Sequence, residues 1–256
     1  MKKRISLILC LQFTIWGLIN VTSMNAQGGS INQQIARENF LKSLPNFKLA
    51  AKAIIGRDKT ESDLSQYFNG LFAIKYQMKN VIGLDEATSY LKEYLAKANN
   101  AALRREVTEN IYWDARGRKP TSDEITGFDT LIKLQKTWYT KEISTQSEFL
   151  KNPAYASEKN QMVSLAYKNA LCRDARPDEL KASTSSLYVN EIFALRALIW
   201  SPNYTTLRDE TIKLWWQSRF KKNPTAVQIQ SAVTAFEPVK AICSEMSKRW
   251  DITEIK

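Results

Sequence analysis

Residues 118–125 read Arg118-Lys119-Pro120-Thr121-Ser122-Asp123-Glu124-Ile125, and three further segments of the chain align with them without gaps. These are Arg57-Asp58-Lys59-Thr60-Glu61-Ser62-Asp63-Leu64, Arg173-Asp174-Ala175-Arg176-Pro177-Asp178-Glu179-Leu180 and Lys222-Asn223-Pro224-Thr225-Ala226-Val227-Gln228-Ile229. Each segment begins with a base, has Asp, Glu or Gln six residues later, and continues with Leu or Ile. Their first residues lie 61, 55 and 49 positions apart, which indicates a repeat with variable insertions. We call them corners 1 to 4, in chain order.

The corners have the composition of a tight turn between two helices. Thr60, Thr121 and Thr225 are placed as N-caps, and the acid or amide three residues later can bond back to the cap, as in a capping box. Corner 3 has Arg176 at the cap position, which is a poor cap, but Pro177 still favours a helix start there.

The residue just before each corner is placed to end the preceding helix. In corners 1 and 2 this residue is Gly56 or Gly117, which readily adopts the left-handed conformation of a helix end. Corners 3 and 4 have Cys172 and Lys221 instead, so we expect their helix ends to differ.

Helical spacing of apolar residues on both sides of the corners predicts an all-α fold, an elongated array of about four helix-turn-helix repeats. Pro153 and Pro202, each twenty residues before its corner, mark further helix starts. No strand is required, and no long linker interrupts residues 27–256, which we treat as a single all-helical repeat domain. The predicted helices cover residues 31–44, 46–55, 61–79, 85–98, 100–116, 122–140, 142–151, 156–171, 177–189, 191–200, 204–220, 226–236 and 238–249.

Residues 1–26 have the layout of a secretory signal peptide. A basic start is followed by an apolar run from Ile5 to Val21 and by a small residue, Ala26, before Gln27. We expect cleavage there and export to the periplasm or the cell surface. An uncleaved anchor is the alternative, although the run is short for a bilayer span; no later segment has a transmembrane pattern.

The chain is basic, with 37 Lys and Arg against 26 Asp and Glu and a net charge of +11. Removal of residues 1–26, which contain three basic residues and no acidic one, leaves +8. In an exported protein this charge favours acidic proteins of an envelope or filament assembly, anionic polymers or lipid headgroups over nucleic acid. The alternative is that the lysines serve only to keep helix faces soluble.

The absence of histidine excludes Ser-His-Asp and Cys-His catalysis and most zinc sites. The sequence also has no Gly-rich phosphate loop and no EF-hand loop. Cys172 and Cys243 either form a disulfide or stay as free thiols. We therefore expect no catalytic, metal or cofactor-binding residue, and a protein that is not an enzyme.

Two alternatives to that prediction stay open. Asp123 with Glu124, or Asp178 with Glu179, can supply the paired carboxyls that cleave an envelope glycan. Their recurrence at one repeat position is better explained by first-turn acids that complement a helix dipole. The second alternative is a soluble periplasmic module that binds a small ligand in an apolar pocket.

Partner-binding residues are expected among the aromatic and basic pairs. Adjacent residues of a helix point about 100° apart, so Trp215 and Trp216 should not both face one core, and one of them should be exposed to a partner. A corner between two packed helices is the alternative for them, and solvated helix ends are the alternative for the basic pairs. The other candidates are Trp113, Trp138, Arg104, Arg105, Lys221 and Lys222.

The pattern of an apolar helix followed by Arg116-Gly117-Arg118-Lys119-Pro120-Thr121-Ser122-Asp123-Glu124-Ile125 resembles the helical modules of phycobilisome linker polypeptides. It is also similar to short helical repeats of secreted bacterial proteins. Phe149-Leu150-Lys151-Asn152-Pro153-Ala154-Tyr155 and Trp200-Ser201-Pro202-Asn203-Tyr204 match the tail of such units. The resemblance implies a scaffold that works by assembly.

A looser resemblance, to the flagellar coiling proteins of spirochaetes, rests on the signal peptide, the helical pattern and the Lys-rich, His-free composition. It implies a sheath component of periplasmic flagella that is needed for filament shape and motility. We therefore predict an exported, non-enzymatic structural or interaction protein of a bacterial envelope assembly.

Overall fold

The computed structural model describes residues 31–75, 80–183 and 187–243. Within these ranges all regular structure is helical, with eleven α-helices and three short 3₁₀ helices, so the all-α prediction is confirmed. The elongated array of four repeats stays a prediction. The proposed signal peptide, residues 76–79 and residues 244–256 lie outside the described part.

The helices follow one another in this order: α1 Ile31–Ile55, α2 Glu61–Lys75, α3 Leu84–Ala96, α4 Ala101–Arg116, α5 Ser122–Lys133, α6 Tyr139–Lys151, α7 Ala156–Leu171, α8 Pro177–Ala182, α9 Tyr188–Ile199, α10 Thr205–Phe220 and α11 Ala226–Phe236. The 3₁₀ helices are Ala98–Asn100, Pro153–Tyr155 and Pro202–Tyr204.

Contacts group the described chain into two compact units. One contains residues 31–53 and 57–94, and the other contains residues 54–56 and 95–243. A single continuous array over residues 27–256 therefore stays a prediction. The second unit contains corners 2, 3 and 4, and side chains of α7, α9, α10 and α11 form an apolar cluster in it.

The helices that lead into corners 2, 3 and 4 have the same length. Each of α4, α7 and α10 has 16 residues and directly follows a three-residue 3₁₀ helix. Pro153 and Pro202 open two of these 3₁₀ helices as predicted, whereas Ala98 opens the first without a proline. The same local path therefore recurs even where the sequence signal for it is missing.

The predicted break near Pro45 is wrong, because α1 continues through this residue. Proline removes one backbone donor from a helix and tends to kink it. Here Phe47 is fully buried and its ring stacks on Phe68 at 4.0 Å between centroids. This packing stabilises the part of α1 that follows the proline.

Two helices are shorter than predicted. The helix predicted over 122–140 ends at Lys133, where Gln135 has a left-handed backbone, and the helix predicted over 177–189 ends at Ala182. The following helices begin earlier than predicted, at Tyr139 and Tyr188. Of the helix predicted over 238–249, the described residues 238–243 form turns instead.

The N-caps of corners 2, 3 and 4 share one backbone conformation. Thr121, Arg176 and Thr225 have φ between −76° and −73° and ψ between 159° and 167°. The capping boxes predicted for corners 1, 2 and 4 are present, since each threonine hydroxyl accepts the amide three residues on and that residue's side chain accepts the threonine amide.

The helix ends before the corners do not differ, contrary to the expectation for corners 3 and 4. Gly56 and Gly117 have φ of 88° and 65°, and Cys172 and Lys221 have φ of 55° and 57°. The corner path needs a left-handed residue at this position whatever the side chain, so the two non-glycine residues adopt a strained conformation. We call these four residues the seat residues.

Candidate functional site

In corner 2, the leading base binds the acid six residues later. Both terminal nitrogens of Arg118 donate to the Glu124 carboxylate, at 2.9 and 2.8 Å. The guanidinium also lies over the ring of Tyr112, 4.9 Å from its centroid. Hydrogen bonds from Arg118 hold the pKa of Glu124 at about 2, well below its ordinary value. A helix end, a turn and a helix start are thus joined by one arginine.

Corner 3 repeats this arrangement. Arg173 donates to both oxygens of Glu179 at 2.7 Å and lies over the ring of Tyr167 at 5.4 Å. The Arg173 bonds again hold the pKa of Glu179 at about 2. The amide and side chain of Arg176 add two more bonds to the same carboxylate, which compensates for the missing threonine cap.

These ion pairs bear on the glycan-cleaving alternative. A general acid needs a carboxyl that still holds its proton near neutral pH, which requires a raised pKa. Glu124 and Glu179 have the opposite shift, and both carboxylates are engaged by arginine. The neighbouring Asp123 and Asp178 are exposed first-turn residues. The recurring acids therefore have the geometry of structural contacts.

The seat residues of corners 1 and 2 lie against aromatic rings. A Cβ placed on Gly56 would come within 2.3 Å of the Tyr139 ring, and one placed on Gly117 within 2.5 Å of the Tyr188 ring. The hydroxyl of Tyr139 then donates to Asp114 at 2.7 Å. Only a glycine allows this approach, so each tyrosine ring packs directly on its seat residue.

The seat of corner 3 is occupied by a disulfide. Cys172 bonds to Cys243, with 5.2 Å between the Cα atoms. Tyr188 and Cys243 each lie 71 residues after the seat residue that they contact. Corner 3 therefore has a covalent bond where corner 2 has ring packing. Of the two alternatives for these cysteines, the structure has the disulfide.

A polar groove runs along the exposed side of α7. Its two connected parts have volumes of about 430 Å³ each and share Ser157, Gln161 and Leu165. One end is formed by Arg116, Arg118, Tyr155 and Glu158, and the other by Ser164, Lys168 and Asp174. Hydroxyl and amide side chains thus line the middle, and charged side chains line the ends.

The two carboxylates of the groove are placed far from each other. Glu158 accepts a hydrogen bond from Arg116 near the start of α7, while Asp174 follows the end of this helix. A helix of 16 residues is about 24 Å long, whereas glycosidase carboxyls lie within about 10 Å of each other. The groove is suited to hydrogen bonding along an extended partner.

The prediction that Trp215 or Trp216 is exposed is wrong. The two side chains are only 8% and 2% exposed and belong to one core cluster. Trp215 packs its edge on Phe236 at 4.9 Å, and Trp216 lies 4.7 Å from Phe220. Each tryptophan packs against apolar side chains on its own side of α10, so the two adjacent residues are both buried.

Arg104 is also misassigned as a partner-binding residue, because it is fully buried. Its Nε donates to Asp129 at 2.5 Å, and one Nη donates to the carbonyls of Leu95 and Lys97 at 2.7 and 2.6 Å. These carbonyls end α3, so this arginine joins α3, α4 and α5. By contrast, Arg105 is exposed and pairs with Glu109 one turn away.

The remaining candidates are more accessible. Trp113 and Trp138 are partly buried, and the Lys141 amine lies 5.3 Å from the Trp138 ring. Lys221 and Lys222 are exposed at corner 4. Trp215, Trp216 and Arg104 support the fold, whereas Arg105, Lys221 and Lys222 are exposed and Trp113 and Trp138 are partly exposed.

Sequence reasoning missed the α7 groove and the tyrosines over the glycine seats. The groove side chains are Ser, Asn and Gln at helical spacing, which reads as an ordinary solvated face. Tyr139 and Tyr188 share a local signal, because each follows a bulky apolar residue and is followed by Glu three positions later and Ile four positions later.

Within the described ranges no group of His, Cys, Asp and Glu side chains could hold a metal ion. None of the helices in this part of the chain combines the length and the apolar character that a membrane span requires. Comparisons of the chain with protein-family models, curated proteins and solved structures found no match. The resemblances to linker modules and coiling proteins therefore stay predictions.

Proposed function

We propose that this chain is an exported, non-enzymatic interaction protein that holds partners together in a bacterial envelope assembly, with the α7 groove as a binding face. The groove is the observation that carries the proposal. It offers a long row of hydroxyl and amide groups on one helix, with Arg116 paired to Glu158 at one end and Lys168 and Asp174 at the other. Such a surface is suited to hydrogen bonding with an extended polar partner.

The charges of corners 2 and 3 support binding over catalysis. Glu124 and Glu179 are committed to arginine and remain ionised down to about pH 2, so neither is suited to donate a proton to a leaving group. The groove carboxylates belong to opposite ends of α7, too far apart to act together on one glycosidic bond.

The disulfide supports export. Cys172 and Cys243 are paired, and structural disulfides persist mainly in oxidising compartments such as the periplasm or the cell exterior. Together with the basic and apolar pattern of residues 1–26, this favours a protein that works outside the cytoplasm.

The test is site-specific crosslinking in the native cell. A photoreactive residue at Ser164, in the middle of the groove, should give discrete adducts, whereas the same residue at Thr126, exposed on α5, should not. Deletion of the gene should disturb envelope morphology, motility or assembly without accumulation of an uncleaved substrate. Clearing of an envelope-glycan zymogram by the purified protein would overturn the proposal in favour of the enzyme.

A further inference from the structure

Corner 4 differs from corners 2 and 3 in its charge. Corners 2 and 3 neutralise their leading arginine with a glutamate six residues on. In corner 4 these positions are occupied by Lys222 and Gln228, and Gln228 serves only in the capping box of Thr225. Within the described residues Lys222 is exposed and makes no ion pair. Gln228 thus stands where corners 2 and 3 have a glutamate, and its neutral side chain does not balance the charge of Lys222.

The neighbours of Lys222 increase this positive charge. Arg219 and Lys221 are exposed, and no ion pair to either is formed in the described part of the chain. Phe220 lies between them, 36% exposed, with its ring held 4.7 Å from the buried Trp216. We call Arg219, Phe220, Lys221 and Lys222 the basic corner.

The seat of the basic corner is open as well. The seats of corners 1, 2 and 3 are occupied by Tyr139, Tyr188 and Cys243, each from a segment that follows the next corner. Lys221 is the seat residue of corner 4 and is exposed. In the described part of the chain Lys221 is exposed and has no acidic partner, whereas the other three seat residues contact a later segment.

We propose that the basic corner docks an acidic segment of a partner protein, whose carboxylates pair with Lys222 as Glu124 and Glu179 pair with the leading arginines of corners 2 and 3. This surface is separate from the α7 groove and goes beyond the function proposed for it. A carboxylate is favoured over a phosphate because the other corners bind a carboxylate at this position in the same backbone frame. Phe220 adds an apolar contact beside the charges.

Charge argues against two other occupants. A second copy of the chain would bring its own excess of basic residues, 37 against 26 acidic, and like charges repel. Residues 244–256 contain three acidic and three basic side chains, so this segment has no net negative charge to offer. The positive charge of the basic corner therefore favours an acidic partner.

The experiment measures binding of a fluorescein-labelled, Glu-rich peptide to the full chain by anisotropy at low and physiological salt. We expect Lys222→Gln to weaken binding about three- to fivefold, the range for one partly exposed ion pair. Gln228→Glu should weaken it to a similar extent, because it supplies the missing carboxylate from within the chain. Glutamate already completes the capping box of corner 2, so this variant should fold normally.

Lys181→Gln is the matched control, since Lys181 is exposed on α8 and its loss changes the net charge by the same amount. The proposal is supported if Lys222→Gln and Gln228→Glu weaken binding and Lys181→Gln does not. It is overturned if all three variants act alike, or if the protein binds anionic phosphatidylglycerol vesicles but not the peptide. The crosslinking result at Ser164 is independent of this outcome, so the two proposals can fail separately.

Discussion

Cys172, the seat residue of corner 3, forms a disulfide with Cys243, which follows corner 4. The seat residue of corner 2, Gly117, instead lies under the ring of Tyr188, which follows corner 3. Each contact spans 71 residues and fastens a left-handed helix end to a later segment. Ring packing and a disulfide thus serve the same purpose at equivalent points, and the energetic consequences of each can be tested.

Loss of the disulfide should destabilise the protein strongly. A crosslink that closes a loop of 71 residues restricts the unfolded chain by about 3 to 5 kcal/mol. We expect Cys243→Ser, and the wild-type protein in reductant, to lose that amount in urea denaturation. A wild-type transition that does not move when reductant is added would contradict this expectation.

Substitution at the glycine seat should be costly. In Gly117→Ala the new methyl group meets the Tyr188 ring and the backbone keeps a φ of 65°, so we expect a loss of about 2 to 4 kcal/mol. Gly127→Ala is the control, because this glycine lies within α5 and has open space around it. It should stabilise the protein by about 0.5 to 1 kcal/mol, as alanine is the better helix former. Equal effects of both in thermal unfolding would refute the close contact.

The adjacent arginines of α4 should respond very differently to truncation. Arg104→Ala removes the buried donor to Asp129, which keeps only its pair with the more exposed Lys133, and to the last carbonyls of α3, and we expect a loss of about 3 to 5 kcal/mol. Arg105→Ala removes an exposed pair with Glu109 and should change stability by less than about 0.5 kcal/mol. Chemical denaturation of the two variants compares them directly.

Acid should weaken the fold through corners 2 and 3. Glu124 and Glu179 have pKa values of about 2 in the folded protein, below the value of about 4.3 for an unfolded chain. Their contribution to the free energy of unfolding is therefore complete above the unfolded value and is lost as the pH falls toward about 2. We expect a decline of stability between about pH 4.5 and pH 2.

The double variant Glu124→Gln, Glu179→Gln should be less stable than the wild type at neutral pH and should lose less stability across the acid range. Urea denaturation at a series of pH values measures both effects. Glu148→Gln is the control, because Glu148 is highly exposed and forms an exposed pair with Lys151. A wild-type profile that matches the double variant below pH 4.5 would rule out the ion pairs as the cause.

The corners were predictable because their capping hydrogen bonds join residues that are close in the sequence. Thr121 followed by Glu124 specifies a capping box through atoms three residues apart, and the structure has this box, as it has those of corners 1 and 4. The helix ends of corners 3 and 4 were harder to predict, because Cys172 and Lys221 give no sign that they adopt a left-handed backbone. There the geometry of the corner prevailed over side-chain preference.

The candidate surface residues were less predictable, because exposure is a property of the packed molecule. Trp215 and Trp216 point in different directions on α10, but apolar neighbours cover both. Arg104 and Arg105 are the same residue type at adjacent positions, and only the surroundings of α4 make one a buried clamp and the other a solvated pair.

By itself, the sequence determined the helical class, the four corners and the capping boxes of corners 1, 2 and 4, since each depends on periodicity or on hydrogen bonds between residues that are close along the chain. The tertiary structure alone decided which segments meet the seats: Tyr139 on Gly56, Tyr188 on Gly117 and Cys243 on Cys172. These contacts join residues more than 70 positions apart, and their energy comes from burial, ring packing and a covalent bond that exist only once the helices are assembled.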